Sequence, residues 1–203
     1  VSSLKSRPFE RGDLAGLTAL FEAADARCFC QYWHFEGDKN EWLARCFPDP
    51  SENRVALAAQ ASEGELEGVV ATEEDAVVGW AKLAFAEVLP KPYAQRFYRS
   101  LPCFRGDRTG VALLSCMLVH PRHRRRGVSR RLVEAAIARA RAMGARSLEV
   151  LPRRVDHHVA DEELWTTPYP SLRELGFVEV DGEGPYPVMR IEFEPMGSAR
   201  GDE

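Results

Sequence analysis

Several things are scarce in this chain of 203 residues, and each scarcity closes off a class of protein. No apolar run approaches the roughly 20 residues that a membrane span needs. The longest, Val111 to Val119, covers nine residues and is interrupted by Ser115. The opening stretch Val1-Ser2-Ser3-Leu4-Lys5-Ser6-Arg7 holds no apolar core of the kind an export signal carries, so a cytoplasmic location is expected. Cysteine amounts to five residues, an odd number in a chain long enough to build a core unaided. That predicts free thiols in a reducing compartment rather than disulfide staples. Internal repeats are missing, and so are linkers rich in Gly, Ser or Pro. One domain is therefore expected over residues 1–195, with a disordered tail at 196–203. The apolar share of 45% and charged share of 29% exclude an intrinsically disordered chain.

Lysine is scarce too, with only four, and none falls in the most basic stretch. From Arg122 to Arg154 eleven arginines face two acids, Glu134 and Glu149, a local charge of +9. Since the whole chain carries −4, the remainder carries −13. A basic block inside an acidic protein argues for one localised polyanionic ligand rather than a long nucleic acid. Guanidinium is the better fork for phosphate oxygens, although an arginine-rich genome would produce the same bias. The aromatic interleaving that nucleic-acid binding uses is lacking in the block.

Periodicity predicts an α/β chain. Leu4 to Phe9 reads as a first strand, and Asp13 as the N-cap of a helix burying Leu14, Leu17, Leu20, Phe21 and Ala24. Asp38 with Glu41 forms a capping box ahead of Trp42, Leu43, Cys46 and Phe47, and Pro48 and Pro50 stop that helix. Arg54 to Ala61 is Ala-rich and helical. The period then changes: 68–72 and 76–85 read as a hairpin about the turn Glu73-Glu74-Asp75. Residues 87–109 hold prolines and aromatics without a period, and two readings stand: a substrate-facing loop, or a surface excursion pinned by its aromatics. Val111 to Val119 has the continuous apolar character of a strand buried on both faces. A helix follows over Ser129 to Met143, with Gly144 as its C′ residue, then a strand over Ser147 to Leu151. This strand–helix–strand unit predicts a right-handed βαβ crossover. A short helix near Ser171 to Leu175 and strands near Phe177 to Val180 and Tyr186 to Glu194 complete the chain.

The most informative stretch runs from Met117 to Leu132, where a buried strand enters a basic loop that leads straight into a helix N-terminus. The first turn of a helix has unpaired N–H groups and a partial positive charge, which together suit an anion. Gly127 lets backbone approach a phosphate without a Cβ in the way. Here the sequence resembles the GNAT N-acetyltransferase superfamily, whose signature is Gln/Arg-x-x-Gly-x-Gly/Ala. Arg124 and Gly127 match it, and Ser129 stands where Gly or Ala is usual. The resemblance extends through the helix, Gly144-Ala145, the next strand and the late turn Leu175-Gly176-Phe177.

That resemblance implies a single-domain GNAT-like fold, a mixed central sheet with splayed adjacent parallel strands flanked by helices. It implies acetyl-CoA as co-substrate, with no metal. The backbone of Leu118 and Val119 would meet the pantetheine arm and polarise the thioester carbonyl. The stretch Arg124, Arg125, Arg126, Gly127, Val128, Ser129 and Arg130 would hold the pyrophosphate. A primary amine, on a small molecule or a peptide, would attack the acetyl carbon directly. Two features depart from the pattern: Leu172 occupies the position of a frequent tyrosine that protonates the departing thiolate, and the asparagine often found after the second splayed strand is missing. Tyr169 is the substitute acid. Glu149 is the first choice as general base, against the plainer reading of a strand acid paired with an arginine. His157 and His158 are further candidate proton shuttles.

Cys28, Cys30, Cys46 and His34 lack the spacing of a zinc site and read instead as buried thiols beside Phe29, Tyr32, Trp33 and Phe35, a cluster expected to pack the core or line an acceptor pocket. The leading expectation is an acetyl-CoA-dependent N-acetyltransferase, monomer or homodimer, without a nucleic-acid or membrane partner. The alternative is a non-catalytic acyl-CoA-binding regulatory module.

Overall fold

The hydrophobic periods resolve into a sheet of seven strands in the order β1-β2-β3-β4-β5-β7-β6. The computed structural model describes residues 4–155 and 166–194; His157, His158 and the tail 196–203 lie outside the described residues. β1 (Lys5–Pro8) leads into α1 (Leu14–Ala23), followed by α2 (Lys39–Cys46) and α3 (Ser51–Glu63). β2 (Gly68–Glu73) and β3 (Ala76–Phe85) form the expected hairpin. Glu74 and Asp75 both take left-handed backbone, φ 50° and 67°, the two-residue geometry whose twist suits a hairpin. β4 (Val111–Val119), α4 (Val128–Ala142) and β5 (Ser147–Val150) make the crossover unit, and α5 (Tyr169–Glu174), β6 (Val178–Glu183) and β7 (Tyr186–Glu192) close the sheet.

Capping follows the sequence in one helix and departs from it in another. Asp38 accepts from the N–H groups of Asn40 and Glu41, and the Glu41 carboxylate accepts from Asp38 N–H at 2.8 Å. Asp13 stands at the N-cap position of α1 but caps nothing there. Its carboxylate takes two bonds of 2.6 Å from Arg7 on β1 and one from the Glu10 N–H. Two charge-assisted bonds to one guanidinium outweigh a cap bond to a single helix N–H.

Each face of the sheet buries a separate core. α4 presses Leu132, Val133, Ala136 and Ala140 onto Val69, Ala71, Ala81 and Leu148. Its first turn comes close because residue 79 on β3 is glycine: a Cβ there would lie 2.8 Å from Val128 Cγ1. On the opposite face α1 and α3 bury Leu17, Phe21 and Leu57 against Val70 and Trp80. The segment 87–109 packs a third cluster, with Leu89, Tyr98 and Leu101 against Leu113, Leu151 and Val188.

The middle of the sheet is where the strands part. β4 and β5 pair in parallel from Val111↔Ser147 to Leu114↔Val150. Beyond Leu114, β4 continues to Val119 paired with β3 alone, while the chain leaves β5 for Leu151 and Pro152. Lys82 faces Cys116 and Leu83 faces Leu114, so Ser115 is an extra residue in β4. Such a bulge bends its strand and sharpens its twist, and this one sits where β4 turns away from β5.

Candidate functional site

Below that parting lies a cavity of about 750 Å³. Its floor is the free half of β4, Cys116, Met117, Leu118 and Val119. One end is the basic loop and the start of α4, namely His123, Arg124, Arg125, Gly127, Val128 and Ser129. The wall beyond comes from the end of α1 and the turn after it, Phe21 and Ala24 to Cys28, joined by Cys46 and Phe47. Val155, Thr166, Thr167, Pro168 and Ser171 make the remaining side.

The basic end is shaped by backbone. Arg125 and Gly127 are both left-handed, with φ of 61° and 78°. A Cβ on Gly127 would meet nothing within 4 Å, so the space in front of it is open. Gly127 is also the N-cap of α4 and supplies no side-chain cap. The N–H groups of Val128, Ser129 and Arg130 therefore leave the helix without intrahelical acceptors, at the positive end of a 15-residue dipole. His123 is fixed to Glu73 on β2 at 2.9 Å, and His120 accepts from the Arg122 N–H at 3.2 Å. Burial, then His123 and Arg122, lower the His120 pKa.

Seven of the nine residues that the resemblance assigned to acetyl-CoA line this cavity: Leu118, Val119, Arg124, Arg125, Gly127, Val128 and Ser129. The side chains of the other two are engaged elsewhere. Arg126 reaches Glu73 at 3.2 Å, and Arg130 binds Glu134 and Glu174 at 3.2 and 3.1 Å.

The two residues chosen for proton transfer are not brought to the cavity. Glu149 is wholly buried, 0% exposed, under the 87–109 segment. Arg108 and Arg190 clamp both of its oxygens, with bonds that include Arg108 Nη1 at 3.0 Å and Arg190 Nε at 2.9 Å, and the Tyr93 hydroxyl donates at 3.2 Å. A carboxylate held by two guanidiniums and a phenol has no lone pair left for an incoming ammonium. The plainer reading of Glu149, an acid paired with arginine, is the correct one. Tyr169 likewise donates its hydroxyl to Glu179 at 2.6 Å, under the guanidinium of Arg154, and does not line the cavity. Leu172 is fully buried in the α4-side core.

No residue of the 87–109 segment lines the cavity either, so of its two readings the pinned excursion holds. Of the cysteine-rich cluster, Cys28 and Cys46 reach the cavity whereas Phe29, Tyr32, Trp33 and Phe35 do not. All five cysteines are free. Among the described residues no three His, Cys, Asp or Glu side chains converge on a metal-sized site, and no helix is long and apolar enough to cross a membrane.

Sequence reasoning missed several polar groups that do line the cavity, Asp25, Thr167 and Ser171 among them. Asp25 is its one acidic lining residue among those described, paired with Arg27 at 2.9 Å. Thr167 is buried and rests its hydroxyl on the Met117 sulfur at 3.2 Å, and Ser171 lies a turn further on. Only Ser171 had a signal, its place next to the anomalous Leu172.

Residues 19–166 match the model of the Acetyltransferase (GNAT) family. No curated protein matches the chain in sequence. Among solved structures, an N-acetyltransferase from Staphylococcus aureus Mu50 is 15% identical with a TM-score of 0.55, covering 94% of this chain and 99% of that one. The PaiA N-acetyltransferase of Thermoplasma acidophilum, in complex with coenzyme A, is 12% identical with a TM-score of 0.54, covering 94% and 99%. YncA, a putative acetyltransferase from Salmonella typhimurium with its cofactor acetyl-CoA, is 17% identical with a TM-score of 0.51, covering 98% and 99%. At these identities the likeness is one of fold.

Proposed function

Because the chain belongs to the GNAT acetyltransferase family, we propose that it moves an acetyl group from acetyl-CoA to a primary amine by direct attack, with both substrates in the cavity together. The observation that carries this reading is the parting of β4 from β5 after Leu114 above a cavity that ends at an uncapped helix N-terminus. The unpartnered β4 edge offers N–H and C=O groups to an extended pantetheine arm, as an open sheet edge does to a peptide. The N–H groups of Val128, Ser129 and Arg130 receive the pyrophosphate, and Arg124 and Arg125 add charge. That the Thermoplasma and Salmonella proteins hold coenzyme A and acetyl-CoA supports the choice of co-substrate.

At the acetyl end, a backbone N–H of Leu118 or Val119 polarises the thioester carbonyl and holds the oxyanion that forms. An aliphatic amine with a pKa of about 10.4 arrives protonated and must lose a proton before attack. Asp25 takes that proton through water, as the acid on the cavity wall. Thr167 donates a hydrogen bond to the departing thiolate. The apolar surface of Phe21, Ala26 and Phe47 around Asp25 suits an amine on a partly apolar small molecule or peptide.

Acetyl-CoA at a hundred times its dissociation constant should stabilise the fold by about 2.7 kcal/mol, a rise in Tm of roughly 5–10 °C for a chain this size. Release of CoA thiol with a pooled panel of amines tests turnover. A second reading, an acyl-CoA-binding module without turnover, is favoured by Leu172, sealed in the core at the tyrosine position. Binding without thiol release decides for it, and a Tm indifferent to acetyl-CoA removes both.

A further inference from the structure

Lys82 is the odd residue of the sheet, a lysine of β3 that is 3% exposed and has no carboxylate among its described partners. Its ammonium has three N–H donors and three acceptors: His34 Nε2 at 2.9 Å, Gln60 Oε1 at 3.1 Å and the Cys30 carbonyl at 3.4 Å. Hydrogen bonding is thus complete, but the charge is not balanced by any of these neutral groups. The groups that can balance it are thiols. Cys30 Sγ lies 2.7 Å from Cys116 Sγ, 86 residues away in sequence. Cys116 is on the β4 strand that pairs with Lys82, and it lines the cavity floor.

The groups facing this pair from neighbouring elements are Lys82 of β3, His34, Cys28 and Trp80. Burial, then Lys82, push the His34 pKa down to about 4, so His34 is neutral and serves as an acceptor. Burial works against a thiolate on Cys30, but the Cys116 S–H, Lys82 and the Trp80 indole outweigh it and hold the thiol below its ordinary range. The Trp80 N–H is itself buried without a full hydrogen bond. Cys116 is pushed well up by sharing with Cys30 and by burial. Burial lowers the Lys82 pKa and the nearby sulfurs oppose that shift, so the lysine and the thiol pair favour each other's charged form. By contrast, burial pushes Cys28 and Cys103 up to about 12 and raises Cys46.

We propose that Cys30 and Cys116 are a reversible dithiol site, oxidised to a disulfide by hydroperoxides that reach Cys116 through the cavity. A proton shift across the S–H···S contact puts the thiolate on Cys116. That sulfur attacks a peroxide oxygen, an S–O bond forms, the O–O bond breaks, and the leaving oxygen takes a proton. Cys30 then attacks the sulfenic sulfur, the S–S bond forms, and the sulfenic oxygen leaves as water with the remaining thiol proton. With hydrogen peroxide the sum is two thiols and one peroxide giving one disulfide and two waters. Because the sulfurs already touch, little movement of the strand or of the Cys28–Cys30 turn is needed. This inference goes beyond the acetyltransferase reading and does not require acetyl-CoA to bind.

The test uses the intact chain and stoichiometric hydrogen peroxide, followed by acid quenching, alkylation and peptide mass mapping. The expected product is a Cys30–Cys116 cross-linked peptide that dithiothreitol releases, with Cys28, Cys46 and Cys103 alkylated. Lys82→Met should slow formation about tenfold by removing the cation that favours the thiolate. Should that variant not fold, the wild-type oxidation rate against pH answers the same question, with its midpoint expected below the value near 8.5 of a free thiol. Cys30 and Cys116 both recovered alkylated after peroxide would overturn the proposal, and so would an oxidation rate that follows the ordinary thiol profile.

Discussion

Gly127 separates a cofactor site from a mere turn, because the structure fixes what each substitution there costs. The residue has φ 78° and ψ 8°, and a Cβ would enter open space. Gly127→Ala therefore meets no clash and loses only the left-handed conformation, about 1–2 kcal/mol, or roughly 2–8 °C in Tm. Asp tolerates that conformation better than Ala, so Gly127→Asp should melt no lower. The two variants part in binding. A carboxylate about 5 Å from one phosphate charge, at an effective dielectric near 20, opposes it by about 3 kcal/mol, which is a loss of roughly 10²-fold in affinity. Isothermal titration of acetyl-CoA into both folded variants, beside their apo melting curves, measures the difference, and added salt should narrow it. If Gly127→Asp binds acetyl-CoA as tightly as Gly127→Ala, the phosphates lie elsewhere and the placement on the α4 N-terminus fails.

Glu149→Gln should act on stability rather than on chemistry, since it strands Arg108 and Arg190 in the interior at a cost of about 3–5 kcal/mol; a variant with normal Tm and impaired turnover would restore Glu149 as base. Tyr169→Phe loses a bond to Glu179 on the surface and should leave turnover close to wild type, which a CoA-release assay checks. His34 is neutral in the fold, with its pKa pushed down to about 4 by burial and Lys82, against about 6.5 unfolded. The unfolded chain therefore binds the proton first, and stability should fall as pH drops from about 6.5 toward 4. His34→Gln should flatten that part of a denaturation-against-pH curve, and an unchanged slope would refute the assignment.

What the sequence disclosed was whatever depends on neighbours along the chain. β4 runs over the nine residues expected, the Asp38 and Glu41 capping box forms, and the glycine before α4 opens the helix end as its spacing required. The splay of β4 and β5 has a local trace as well, in Pro152, which cannot extend the ladder. Side-chain fate was less legible because it depends on contacts across the fold. Glu149 was placed on the correct strand, but Leu113↔Glu149 pairing turns it to the face covered by Arg108 and Tyr93, more than forty residues upstream. Asp13 had the right position and the wrong partner for the same reason: β1 brings Arg7 beside it. The cavity wall assembles the end of α1, the end of α2 and residues 166–171, and no periodicity links those three segments.

The arginine block shows how charge in a sequence divides between fold and ligand. A surplus of nine positive charges suggests a large anion site, yet most of those guanidiniums have structural work. Arg139 grips Glu67 with two bonds of 2.7 and 2.8 Å, Arg126 holds Glu73, Arg130 ties α4 to Glu174 near α5, and Arg154 pairs with Glu179. Arg146 donates to the carbonyls of Thr109 and Asp107, and Arg141 lies over the ring of Phe193. Exposed pairs of this kind contribute about 0.2–1 kcal/mol each, and together they fasten one helix to the hairpin before it and to the strands and short helix after it. Arg124 and Arg125 line the cavity beside the start of α4. On the proposed acetyl-CoA reading, preference for a compact phosphate group would come from the direction of the helix-end N–H groups more than from the number of arginines nearby. A long polyanion would need guanidiniums such as Arg126, Arg130, Arg139 and Arg154, and those already hold acids of the fold.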